Sequence, residues 1–141
     1  GPVGRLYAIA AHGGAGTSTL VAFVPGLFEL LGQPGPGDRV LVIARTSAAG
    51  LQAARRSLRH AALRDGADVL GLVLVADAPG RLPRPLRDLA DLASGGAPRT
   101  WRAPWVEALR LEPEPPTQAP RELQHLVGDL THMAAGHELG R

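Results

Sequence analysis

Short, continuously apolar runs alternate in this chain with stretches whose apolar residues recur every third or fourth position. The runs at 5–11, Arg39–Arg45 (R-V-L-V-I-A-R) and 69–76 (V-L-G-L-V-L-V-A), with the mixed stretch 99–103 (R-T-W-R-A) closed by Pro104, predict four strands. The unbroken apolar centres of the second and third suit a parallel sheet covered on both faces. The third is the most hydrophobic and is expected at the centre. A first helix is expected over 18–24, broken by Pro25-Gly26, and 27–31 is expected to resume it as a second short piece. Thr46-Ser47 caps a helix running to about Arg64, with Leu51, Ala54, Leu58, Ala61 and Ala62 inward. Further helices are expected over 85–94, with Leu86, Leu89, Ala90 and Ala93 inward, and over 105–111. A last helix over 120–135 presents Leu123, Leu126, Leu130 and Met133 or Ala134 on one stripe. Strands alternating with helices predict an α/β fold: a small, doubly wound, mostly parallel sheet of about four strands, followed by a C-terminal helix. The expected division is one domain over 1–111, a Pro-rich spacer over 112–119 and the helical segment 120–141.

Composition narrows this picture. A length of 141 residues suits one core, not two. Hydrophobic residues reach 45% but aromatics only 4%, so the core must be built from Leu, Val and Ala. The absence of Cys excludes disulfides, thiolate metal sites and a Cys nucleophile. No apolar run approaches the roughly 20 residues needed to span a bilayer, and no signal peptide is visible, so a cytoplasmic home is expected. The chain has no Lys and no Asn; all 15 basic residues counted are Arg, a composition expected of a GC-rich bacterial genome. A net charge of +2 is too mild to declare a nucleic-acid binder.

The stretch with the most chemistry is Ala11-His12-Gly13-Gly14-Ala15-Gly16-Thr17-Ser18-Thr19. It follows a strand and opens a helix, the order of a phosphate-binding loop, whose glycines let N–H groups curl around an anion. It resembles the deviant P-loop of the MinD/ParA class of NTPases, roughly K-G-G-x-G-K-[ST]-T. Gly13, Gly14, Gly16, Ser18 and Thr19 match that pattern, with Ala15 at the variable position. His12 stands for the first lysine and Thr17 for the second. The resemblance implies a P-loop NTPase-like fold with ATP or GTP and magnesium as ligands. It also implies roles for two lysines, one reaching a partner's phosphates across a dimer and one neutralising β/γ charge. With no Lys in the chain, neither role has its residue and no cofactor is assured.

The resemblance spans about residues 5–111 and is weak outside the loop. A carboxylate expected at the end of a neighbouring strand is absent: Arg39–Arg45 ends R-T. If the strand that carries it were deleted, the strand at 5–11 would lie at an edge of the sheet, with the terminal helix as its candidate cover. Asp77 is the one candidate carboxylate for orienting metal or water, although such residues are also routine at strand ends. In W-R-A-P-W, one Trp is expected in the core. The resemblance makes Pro104 and Trp105 weak candidates for contact with a base. Arg55, Arg56, Arg59, His60 and Arg64 make the second helix basic, which supports nucleic-acid binding only weakly and suits a solvated face better. Arg81, Arg84 and Arg87 are expected to pair with Asp88 and Asp91. No third group completes a triad with Ser18 and His12, so no catalytic residue and no metal ligand is assigned.

Two functions follow from the loop. The first is a non-catalytic, pseudo-ATPase interaction or scaffold module, with a protein partner or a second copy of itself. The second is a nucleotide-dependent switch that binds and slowly hydrolyses ATP or GTP, with arginine substituting for lysine.

Overall fold

In a computed structural model, residues 4–111, 114 and 116–136 are described. They form a five-stranded, all-parallel sheet flanked by helices, with strands β1 (Leu6–Ala10), β2 (Leu27–Glu29), β3 (Arg39–Arg45), β4 (Asp68–Val75) and β5 (Thr100–Ala103) in the order β2-β1-β3-β4-β5. The helices are α1 (Thr17–Phe23), α2 (Ala48–Arg59), α3 (Arg84–Ser94), α4 (Glu107–Leu111) and α5 (Gln124–Ala134). The α/β class and the C-terminal helix agree with the sequence pattern. The strand count is five rather than about four.

The additional strand is β2, where the sequence pattern suggested helix. Val24 precedes a proline and is extended, at φ −112° and ψ 103°, because the proline ring disfavours the helical region for the residue before it. Leu27 N–H donates to Val24 O at 3.2 Å, and Gly26 takes φ 86°. Proline then a left-handed glycine is the signature of a type II turn. That turn sends 27–29 along β1, pairing Leu6 with Leu27 and Ala8 with Glu29. Consequently β1 is interior and β2 is the edge, contrary to the expected edge position of 5–11. The centre of the sheet is β3, not β4: its five inner residues are all buried.

Strand residues alternate between two cores, as the pleat requires. Leu41 and Ile43 of β3 face α1 and α5, together with Leu6, Ala8, Val73 and Trp101. Val42 and Ala44 face α2 and α3, together with Leu72 and Leu74. Helices change face because the chain steps outward from β1 to β2 and then moves the other way from β3 to β5. Crossovers of one hand place helices on opposite faces when direction reverses.

Two details depart from simple periodicity. After Arg59 the second helix continues as a π-helical turn, His60–Arg64, closed by Asp65 N–H on His60 O at 3.0 Å. The wider turn keeps Ala61 buried but leaves Ala62 exposed, so Ala62 is not on the inward stripe. Arg81, Arg84 and Arg87 form no ion pair with Asp88 or Asp91 among the described residues. Surface pairs gain too little to hold two long side chains in one geometry.

Between Val40 and Leu41 the β3–β4 register shifts, so Leu41 pairs with Gly71. A Cβ on Gly71 would stand 2.5 Å from Trp101 Cζ3 and 2.7 Å from Arg99 O. Gly71→Ala is therefore expected to lower stability by about 2 kcal/mol, as overpacking does. Thermal unfolding with Trp fluorescence checks this; an unchanged midpoint would mean that the ring moves aside freely.

The 112–119 spacer falls partly outside the described residues, at 112, 113 and 115. Beyond it, a 3₁₀ turn (Arg121–Leu123) leads into α5, and Leu123, Leu126 and Leu130 are buried. Trp101 Nε1–H donates to Asp129 Oδ2 at 3.1 Å, and Arg99 lies 3.6 Å from the same oxygen. Arg39 Nη2 donates to Met133 O, near the other end of the helix. The helix is thus fastened across the sheet from β5 towards β2. Among the described residues no helix is long and apolar enough to cross a membrane.

Candidate functional site

A chain that reverses direction in a parallel sheet leaves a crevice at the C-terminal ends of the two strands where it does so. Here those strands are β1 and β3. The loop 11–16 leaves one and Arg45-Thr46-Ser47 leaves the other, so the topology alone brings the glycine loop against Arg45. Gly14 and Gly16 take φ 74° and 96°, conformations that side chains rarely adopt. The loop glycines are thus used for backbone shape, and α1 begins directly after Gly16.

The crevice between β1 and β3 is filled by the chain itself. Arg45 N–H donates to His12 Nε2 at 3.0 Å. A backbone N–H can only donate, so this nitrogen must carry the lone pair. The proton then sits on Nδ1, which is 2.9 Å from Gly13 O and donates to it. The Arg45 guanidinium donates from Nε to Gly14 O at 2.7 Å and from Nη1 to Ala76 O at 3.1 Å. One side chain therefore ties the glycine loop to the end of β4. Thr46, buried, accepts Asp77 N–H on Oγ1 at 3.1 Å. Ser47 caps α2 by accepting Gly50 N–H at 3.0 Å. Gly50 lies so close that a Cβ there would be 2.3 Å from Arg45 O and 3.0 Å from His12 Nε2.

Among the described residues, the N–H groups of Gly13 to Gly16 meet no protein acceptor. The loop therefore keeps donors for an anion, while two of its carbonyls are taken by His12 and Arg45. Ser18 is exposed and Ala15 is buried. Thr17, where the P-loop resemblance places a lysine, is 4% exposed, and its Oγ1 is buried with no hydrogen-bond partner. Thr17→Val keeps the shape and removes the orphaned hydroxyl. It is expected to leave stability unchanged or raise it by about 1 kcal/mol, read from the urea midpoint. A loss of more than that would show that the hydroxyl has a partner when the protein is in solution.

One step along the sheet lies an open cleft of about 250 Å³. Gly16, Thr19 and Leu20 form one wall. Arg45, Val75 and Ala76 form the back, and Ala103 to Val106 with Leu109 and Leu123 form the other wall. Gly16, Thr19, Pro104 and Trp105 of the candidate site residues meet here. His12, Gly13, Gly14, Ala15, Thr17 and Ser18 do not line the cleft, and nor does Asp77, whose carboxylate is exposed and makes no hydrogen bond or ion pair among the described residues. Trp105 is half-buried at the cleft, with Nε1–H on Glu107 Oε2 at 2.7 Å, whereas Trp101 is in the core. Gly50 and Ala76 carry no site assignment from the sequence, and Arg45 and Thr46 enter there only as a strand end and a helix cap. The signal for Gly50 was a glycine near the start of a helix, where alanine would be preferred by about 1 kcal/mol. Arg45 carried none beyond its place at a strand end.

Neither curated proteins nor solved structures give a match to the chain. A family model described as "Family of unknown function (DUF6668)" matches residues 4–127, which takes in the sheet, the glycine loop, the cleft and the start of α5. The chain belongs to that family.

Proposed function

We propose that this protein is a non-catalytic, P-loop-like interaction module, in which the glycine loop serves as a rigid corner of the fold. The observation that carries this reading is the commitment of its two nearest cation-bearing or proton-bearing side chains. His12 is bonded to Arg45 N–H and Gly13 O, and the Arg45 guanidinium bridges Gly14 O and Ala76 O. Phosphoryl transfer needs positive charge aimed at the developing charge on the transferred group. An arginine turned onto backbone carbonyls is not so aimed, and the chain has no Lys to replace it. The cleft, about 250 Å³, is also below the roughly 300–1,000 Å³ typical of pockets for drug-sized ligands.

The second reading is a nucleotide-dependent switch of MinD/ParA type. The free N–H groups of Gly13 to Gly16 and the meeting of Gly16, Thr19, Arg45 and Trp105 at one cleft favour it. It requires Arg45 to leave Gly14 and Ala76 and turn to phosphate.

A nucleotide panel separates the two. A ligand at one hundred times its Kd adds about 2.7 kcal/mol of stability, which would shift the unfolding temperature by several degrees. With millimolar ATP or GTP and magnesium, no shift and no phosphate release above background are expected. Micromolar binding by calorimetry, or phosphate release lost on Ser18→Ala or Asp77→Ala, would establish the switch and remove the module reading. A sulfate or phosphate ion in the loop is compatible with either.

A further inference from the structure

At the end of the sheet away from the glycine loop, α2 with its π-helical turn and α3 finish side by side. Between them lies a groove of about 420 Å³. Its floor is Leu58 and Ala93, both buried. Its lips carry Leu63 and Leu92, which are 81% and 58% exposed. A single exposed leucine needs no explanation; two on opposite lips of one concavity are a different matter. The π-helical turn, closed by Asp65 N–H on His60 O, is what sets the path of the chain through Ala62 and Leu63.

Among the described residues, the charged ones lining the groove are Arg55 and Arg59. Neither makes an ion pair among the described residues, whereas Arg64 is paired with Asp65 at 3.1 Å. Positive charge in the last turn also complements the helix dipole. That would account for Arg59, but not for Arg55 or for leucines beside them. An apolar slot between two helices with cations on one wall is complementary to a third helix with an apolar stripe and acidic flanks.

We propose that this groove docks an acidic amphipathic helix of a partner protein, its apolar stripe between Leu63 and Leu92 and its carboxylates on Arg55 and Arg59. This names a partner for the interaction reading and rests on it, yet it uses none of the residues of the loop. Duplex DNA would engage the arginines without needing the leucines. An anionic membrane would favour protruding apolar residues over a slot.

The test is an NMR titration of the isotope-labelled full chain with a helical peptide about five turns long, carrying leucines on one stripe and glutamates on its flanks. A peptide of the same composition in scrambled order, a random-sequence DNA duplex and phosphatidylserine–phosphatidylcholine vesicles serve as the other arms. The expected result is amide shifts confined to 55–63 and 92–96, with the patterned peptide binding at least about tenfold tighter than the scrambled one. Arg55→Glu with Arg59→Glu should abolish binding. A Cβ on Gly96 meets Ala93 O at 3.4 Å and Leu58 Cδ1 at 3.7 Å, both ordinary contacts, so Gly96→Leu should fill the groove, cost about tenfold in affinity and leave the unfolding temperature unchanged. No binding, equal binding of the two peptides, shifts elsewhere, or DNA or vesicle binding tighter than the patterned peptide and insensitive to Gly96→Leu would each overturn the proposal. The nucleotide panel reads the glycine loop alone, so failure here with no nucleotide bound removes the groove as the site and leaves the module reading standing.

Discussion

Replacing Gly50 by alanine should lower stability by about 3 kcal/mol and the unfolding temperature by roughly 10 °C, although alanine is the better helix former. The reason is backbone, not propensity. The added carbon would lie 2.3 Å from the Arg45 carbonyl, a distance no such contact tolerates, and 3.0 Å from both His12 Nε2 and Ser47 Oγ. None of these can yield alone. Arg45 is in the central strand, Ser47 caps α2 and His12 is held by Arg45 N–H. The helix start must move off the end of β3 and take the closed crevice with it. Gly13→Ala is the control: a Cβ there meets nothing within 4 Å and its φ is not left-handed. It should stay within about 0.5 kcal/mol of the parent. Urea denaturation of both variants, with His12 ring signals followed by NMR, checks the argument. Equal effects, or an unmoved His12 in Gly50→Ala, would show that the crevice is not held by close packing.

The same residues show where sequence reasoning reached and where it stopped. Helices α2, α3 and α5 were legible because their apolar positions keep helical spacing over several turns. Strands β1, β3 and β4 were legible because apolar runs stood between turn residues, and β5 because R-T-W-R-A lies between Gly95-Gly96 and Pro104. Strand β2 was not. Three residues carry no period, and Leu27-Phe28-Glu29 fits a helix as well as a strand. What decides it is the turn before it: Pro25-Gly26 breaks a helix, and its two residues also specify a direction. The placement of β1 inside the sheet followed from that strand and was lost with it. In the site, the loop glycines were legible because their spacing is local. Arg45 was not, since only the reversal of chain direction between β1 and β3 sets it beside Gly14, 31 positions away.

Removing α5 should be more damaging than any single substitution. Leu123, Leu126 and Leu130 are 3%, 5% and 0% exposed, packed in one core with Leu6, Ala8, Ile43 and Trp101. Burial of a leucine side chain contributes about 1.5–3 kcal/mol, so the three together contribute roughly 5–9 kcal/mol. A domain of this size has a total stability of roughly 7–20 kcal/mol. The polar fastenings add less. Asp129 takes Trp101 Nε1–H and lies near Arg99, but is partly open to water, so Asp129→Ala should cost only about 1–2 kcal/mol. A chain ending at Gln118 would lose the three leucines and expose one face of β1 and β3. It is expected to lose cooperative thermal unfolding in circular dichroism and to associate through that face in light scattering. Leu130→Ala in the full chain tests the same packing without a new terminus, with an expected loss of about 3 kcal/mol. If the shortened chain remained monomeric and unfolded cooperatively near the parent temperature, α5 would be a tether, and the leucines would contribute nothing that β1 and β3 need.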